Sequence, residues 1–194
     1  MTSKHKGKYA VEDKATSQRL PLTVSRTELL ADGSDARFRQ LIHRLLAYAS
    51  SLETIRAGLG EMIGLTGVQY TMLICIAHLQ GPKGVGVKEI ADHLNCTGAF
   101  VTIETGKLAN FGLVEKRQNP GDKRRVLLIV TARARDILNR LAPAQCQIND
   151  TLFESLDRQG FDRLCTLAET LIADARKAQT LVEFLNDTKI ANRN

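Results

Sequence analysis

The hydrophobic period of this chain changes near residue 112 and changes back after residue 130, and this restricts the folds open to it. Before the first change, apolar residues recur at spacings of three and four. Phe38, Leu41, Ile42, Leu45, Ala49, Leu52 and Ile55, with Arg37, Arg39, Arg44 and Glu53 between them, predict an amphipathic helix from about Asp35 to Glu61. Within the changed stretch, Leu113 to Gln118 and Arg125 to Val130 are short alternating segments, separated by the turn cluster Asn119-Pro120-Gly121-Asp122. They predict a two-stranded hairpin with a basic tip made of Arg117, Lys123, Arg124 and Arg125. Helical spacing then returns. Thr131 is placed to cap a helix carrying Ile137, Leu138 and Leu141, expected to continue past a kink at Pro143 through Ile148, Leu152 and Leu156. A break at Gln159-Gly160 precedes a last helix with Phe161, Leu164, Leu167, Leu171, Ile172, Leu181 and Leu185, and residues 189–194 are expected to fray.

Short helices fill the interval between the first helix and the hairpin. Gly64 ends the first helix, and Thr66-Gly67-Val68-Gln69 has the spacing of a capping box, in which the Thr66 hydroxyl and the Gln69 amide satisfy free N–H groups reciprocally. The helix it opens runs through Tyr70, Leu73, Ile74 and Ala77 and stops before Gly81-Pro82. An extended piece at Val85 to Val87, a brief helix from Lys88 to Leu94, a turn at Asn95 to Gly98 and a helix from Ala99 to Phe111 follow, closed by Gly112. The Gly81 to Gly86 stretch lacks the spacing of a phosphate-cradling loop, and no Lys-Ser/Thr pair follows it.

Charge and composition narrow the function classes. The 194 residues include 27 Lys and Arg against 21 Asp and Glu, a net charge of +6, with aromatics at only 5% and no Trp, so the core is expected to be aliphatic. Residues 1–22 carry Lys4, Lys6, Lys8, Lys14 and Arg19 with few large apolar groups and read as a flexible basic tail. No apolar run approaches the ~18–20 residues of a membrane span, and no apolar stretch follows the basic N-terminus as in a secretory signal, so a cytoplasmic location without membrane attachment is expected. Cys75, Cys96, Cys146 and Cys165 are never at CxxC spacing, which argues against a disulfide scaffold or a zinc knuckle. The sequence holds no HExxH, GxSxG or P-loop, and its four histidines are scattered. Neither an enzyme nor a cofactor or metal requirement is expected.

Helix, tight turn, helix, basic hairpin is an order that suits duplex DNA. A helix can enter the major groove, where base edges are distinguishable, and a cationic hairpin tip can reach phosphates or the adjacent minor groove. The phase of the helix from Ala99 to Phe111 puts Val101, Glu104, Thr105, Leu108 and Gly112 near one face. The opposite face carries Ala99, Thr102, Ile103, Gly106 and Lys107. Small residues there permit close approach, methyl groups suit a thymine methyl, and Lys107 suits a phosphate. Thr97 and Gly98, at the entry of this helix, complete the expected DNA-contacting set with Asp122, Lys123, Arg124 and Arg125.

These residues resemble the MarR family of bacterial transcription regulators. The likeness runs from Leu65-Thr66-Gly67-Val68-Gln69-Tyr70 through Glu89-Ile90-Ala91-Asp92-His93-Leu94, Val101-Thr102 and Leu108-Ala109-Asn110-Phe111-Gly112-Leu113-Val114. It closes on Asp122-Lys123-Arg124-Arg125 and Leu128-Ile129-Val130-Thr131, and in all it covers about residues 35–185. It implies a mostly α fold: a winged helix-turn-helix domain over residues 64–131, with dimerisation helices over 35–63 and 132–188. It further implies a homodimer on a near-palindromic operator, acting as a repressor, with Ala99, Thr102 and Ile103 on the recognition helix, Arg124 as the wing-tip arginine and Asp122 orienting it. Many members have a basic residue where Ile103 stands and a polar one where Gly106 stands, so more of the specificity is expected from apolar contacts and groove shape. Leu46, Val182 and Phe184 add apolar stripes to the terminal helices that a small winged domain could not bury, independently suggesting an interface.

The resemblance also implies release of DNA by a small aromatic or anionic compound. His43, Tyr48, Arg56, Met62, Tyr70 and Met72 are the candidates to line its crevice. Arg56 could pair with a carboxylate, and His43 or Tyr48 with a ring hydroxyl, while Tyr70 and Met72 equally suit a core. Two alternatives remain at this point. One is control by cysteine oxidation, for which Cys96, near the positive end of the recognition helix, is placed to have a lowered pKa if exposed. The other is a helical interaction module without DNA activity.

Overall fold

The computed structural model describes residues 20–191. The chain divides into two compact units at Ile55 and Arg56. The basic tail expected at the N-terminus lies outside the described residues up to position 19. Among the described residues are six α-helices, one short 3-10 helix and one three-stranded sheet. No helix among them is long and apolar enough to cross a membrane.

The first unit consists of a short lead-in and most of α1 (Ala36–Glu61). The lead-in contains the 3-10 turn Thr27–Leu29 and is fastened to the start of α1 by one carboxylate. Asp35 Oδ2 accepts from Thr23 N at 2.8 Å and from Thr23 Oγ1 at 2.7 Å, and pairs with Arg39 Nη2 at 3.0 Å. The same guanidinium donates to the Pro21 carbonyl at 2.6 Å. Hydrogen bonds from Thr23 are the main cause that lowers the Asp35 carboxyl to about 2.

In the second unit, the last turns of α1 give way to α2 (Gly67–Leu79) through Gly64, whose φ of +73° is the left-handed conformation that favours glycine. The capping box forms as the sequence predicts: Gln69 N donates to Thr66 Oγ1 at 3.2 Å and Thr66 N to Gln69 Oε1 at 3.1 Å. Backbones run close here. A Cβ at Gly60 would lie 2.7 Å from the Leu65 carbonyl oxygen, which demands glycine there, and one at Gly67 would lie 3.0 Å from the Ala57 backbone, which would have to give way slightly.

Strand β1 (Val85–Gly86), helices α3 (Val87–Leu94) and α4 (Gly98–Asn110), and strands β2 (Val114–Asn119) and β3 (Asp122–Val130) complete the sequence-predicted order. The sheet is antiparallel in the order β1-β3-β2, with Val85 opposite Leu128 and Val114 opposite Val130. Its inward residues and the helices share one aliphatic core. Leu73, Ile76, Ile90, Val101, Leu108 and Leu128 are fully buried, and Val85, Val114 and Val130 nearly so. This is a winged helix-turn-helix, with β2–β3 as the wing. β3 begins at Asp122, three residues earlier than the hydrophobic alternation indicates, because polar wing residues satisfy the ladder with backbone alone.

Two expectations for the C-terminal helices need correction. Helix α5 (Ala132–Leu152) runs past Pro143 as expected but ends at Leu152, so Leu156 lies in the link that follows and not in the helix. The break therefore falls at 153–157 rather than at Gln159-Gly160, and these two residues open α6 (Arg158–Ala191). The cause is a cap: Gly160 N donates to Asp157 Oδ1 at 2.7 Å, the contact of a helix-starting aspartate. Halfway along α6, Arg176 donates to the Asp92 carbonyl at the end of α3 and, at 3.3 Å, to Asn95 Oδ1.

Candidate nucleic-acid interface

Helix α4 begins on Thr97, whose Oγ1 accepts from Phe100 N at 3.2 Å, and Thr102 Oγ1 turns back onto the Gly98 carbonyl at 2.8 Å. The helical phase sorts its faces as the sequence predicts. Val101, Glu104, Thr105 and Leu108 are buried, while Ala99, Thr102, Ile103 and Lys107 are exposed and Gly106 half-buried. Ile103 keeps 59% of its surface in contact with solvent, a large apolar residue on an otherwise small-residue face. Between this face and the wing lies a cleft of about 850 Å³ whose walls include Lys88, Gly98, Thr102, Asn119, Arg124 and Arg125. The structure thus brings together Gly98, Thr102, Arg124 and Arg125 of the expected set, with Thr97 and Ala99 beside them at the helix entry.

The basic residues fall into two groups once their partners are counted. Lys107 Nζ is 2.7 Å from Glu104 Oε1, a carboxylate whose side chain is 9% exposed. Arg117 grips Glu115 with two bonds of 2.8 and 2.9 Å, so it does not belong to the free charge of the wing tip. Each partner reinforces the other's charge: Arg117 lowers the Glu115 pKa, and Glu115 raises that of Arg117. Asp122 is expected to orient Arg124, but the contact differs. Its Oδ1 accepts from the Arg124 backbone N at 3.1 Å, while its Oδ2 pairs with Arg125 Nε at 3.3 Å. The carboxylate therefore shapes the turn and holds Arg125, and the Arg124 side chain has no acidic partner among the described residues. The Lys123 side chain lies outside what is described.

Sequence reasoning missed two cations. Lys88, in the first turn of α3, lines the cleft, and Lys116 of β2 reaches the flank of α4 at Gly106. Neither has an ion-pair partner among the described residues. Lys116 was detectable from strand phase, since it shares the inward register of Val114 yet is charged.

The candidate effector residues fall in different environments. His43 is exposed, Tyr48 is 38% exposed and Met62 60% exposed. Tyr70 and Met72 are buried, at 3% and 1%. Arg56 Nε donates to Thr71 Oγ1 at 2.5 Å, and its guanidinium carbon lies 5.7 Å from the Tyr70 ring centroid. Met62 instead borders a pocket of about 460 Å³ with Ile63, Ile137, Arg140, Leu141 and Ala144. Cys96 is half-buried, so the condition for a lowered thiol pKa is not met, and burial raises it instead. Burial, then the neighbouring Cys96, pushes the Cys75 thiol up to about 11. All four cysteines are free thiols.

The comparisons with known proteins agree with this geometry. The MarR family model matches residues 65–126, from the α2 cap to the wing. A search of the curated proteins found no match. Among solved structures, a MarR family transcriptional regulator from Streptomyces coelicolor in complex with DNA superposes with a TM-score of 0.63 at 19% identity, over 71% of this chain and 86% of its own. CouR from Rhodococcus jostii bound to p-coumaroyl-CoA gives 0.63 at 16% identity, over 71% and 95%. A MarR family regulator from Listeria monocytogenes complexed with DNA gives 0.60 at 16% identity, over 69% and 87%. At these identities the superpositions establish the fold, and together with the family match they identify residues 65–126 as a MarR-family winged helix-turn-helix domain within a chain of MarR-type fold.

Proposed function

We propose that this protein is a sequence-specific, DNA-binding transcriptional regulator that acts as a homodimer, represses from a near-palindromic operator, and is released by a small aromatic or anionic ligand. The observation that carries the reading is that Thr102, on the exposed face that also carries Ala99 and Ile103, lines the same cleft as the uncommitted Arg124. A face of small and methyl-bearing residues can approach base edges, while a free guanidinium beside it can enter a narrow minor groove or hold phosphate. Nearly every apolar residue of α6 is exposed, with Leu167 at 58% and Phe184 at 61%, which supports a second copy as the cover for this helix.

The 460 Å³ pocket supports the ligand-release reading. Its lining joins Met62, Ile63, Ile137, Leu141 and Ala144 to Arg140, which has no acidic partner among the described residues, so a flat acid could set its ring against the apolar side chains and its carboxylate against that cation. Arg56, already engaged with Thr71, is the weaker carboxylate partner.

Arg124→Ala is the direct test. Duplexes enriched from random DNA by the wild-type protein are titrated with both proteins in gel shifts. The variant is expected to bind roughly tenfold or more weakly while sedimenting like the wild type. Equal affinity would remove the wing from the mechanism.

A further inference from the structure

The exposed face of α4 carries one cation of its own, Lys107, and Glu104 holds it. Yet a positive charge does reach that face from another element. A Cβ at Gly106 would lie 3.7 Å from Lys116 Nζ, so the ammonium of a β2 residue rests over the open side of the glycine. Lys116 stands opposite Leu128, which is fully buried, and strand phase therefore sends its side chain to the inward face of the sheet. Lys116 is nonetheless exposed. Its aliphatic stem can follow the seam between sheet and helix while the charged end emerges beside α4. In helical projection Gly106 lies about 20° from Ala99 and about 40° from Thr102, in the middle of the small-residue face. The Lys116 ammonium has no ion-pair partner among the described residues.

We propose that Lys116 is a DNA-contacting residue: β2 supplies, through the gap left by Gly106, the cation that the α4 face lacks, and its ammonium donates a hydrogen bond to an acceptor oxygen of the duplex. The inference rests on the DNA-binding reading above. The acceptor is either a base-edge oxygen or a flanking phosphate oxygen, and the two differ in their salt dependence.

The test compares wild type, Lys116→Met, Lys116→Arg and Arg124→Ala on selected duplexes at several salt concentrations, with thermal melting alongside. Lys116→Met retains the stem and removes the charge. It is expected to melt like the wild type and bind roughly tenfold more weakly, with Lys116→Arg recovering most of the loss. A phosphate contact would flatten the plot of log affinity against log salt by about one unit, and a base contact would relax preference at one base pair. Either result supports the inference. Wild-type affinity in Lys116→Met, alongside a weakened Arg124→Ala, would overturn it and leave the functional reading standing. A wild-type protein that enriches no duplex would overturn the functional reading itself.

Discussion

Partner geometry decides which charged side chains of this protein are available to a ligand. Lys107 is the clearest case. Its helical phase makes it a phosphate-binding candidate, but a 2.7 Å bond to a buried carboxylate makes it a counter-ion. Lys107→Ala should therefore act on stability, because it strands Glu104: a loss of about 1–3 kcal/mol in urea unfolding is expected, with operator affinity nearly unchanged. A large affinity loss with unchanged stability would return Lys107 to the DNA interface. Ile103 should behave oppositely. Ile103→Ala should change sequence preference in a binding-site selection and leave the salt slope intact, since an alkyl group neutralises no phosphate. The sequence predicted which residues of α4 face outward, because burial follows the helical period. It could not show which cations are free, because pairing with a neighbour three residues away depends on side-chain conformation as well as spacing.

Helix caps and strand phase explain both what the sequence revealed of the elements and what it concealed. Thr66, Thr97 and Thr131 each accept a backbone N–H at a helix start, and these starts fall within a residue or two of their predicted places. Asp157 does the same for α6, but the nearby Gln159-Gly160 pair looks like a break and masked it. The core elements are held by burial. Leu108→Ala should cost about 2–5 kcal/mol by removing a fully buried side chain that packs α4 against the rest of the winged domain. The lead-in of the first unit is held by charge instead, and its response to pH has a defined sign. Asp35 titrates near 2 in the folded chain against an ordinary value of 3.8, so its contribution is complete above about pH 4 and is lost as the pH falls towards 2. Exchange of the Thr23 amide, which donates to Asp35, is expected to show protection lost across that window, and in Asp35→Asn protection should already be reduced at neutral pH. Unchanged protection in the variant would show that the lead-in is held by other contacts.

At the scale of the whole molecule, the long C-terminal helix leaves much apolar surface uncovered. Leu167, Leu171, Leu181 and Phe184 are all more than half exposed, more apolar surface than one solvated helix usually carries. The apolar stripes of α6 were visible in the sequence, but their partner was not, because periodicity shows that a face needs covering and not what covers it. A second copy would bring two reading heads to one duplex, and two-fold symmetry would set their separation at about one helical turn, ~34–36 Å. Selection of bound sites from random DNA, followed by footprinting of the enriched duplex, measures this directly. The account predicts two inverted half-sites with centres about 10 base pairs apart, each protected, and both weakened by Arg124→Ala. A single unpaired half-site, or no enriched sequence at all, would contradict it.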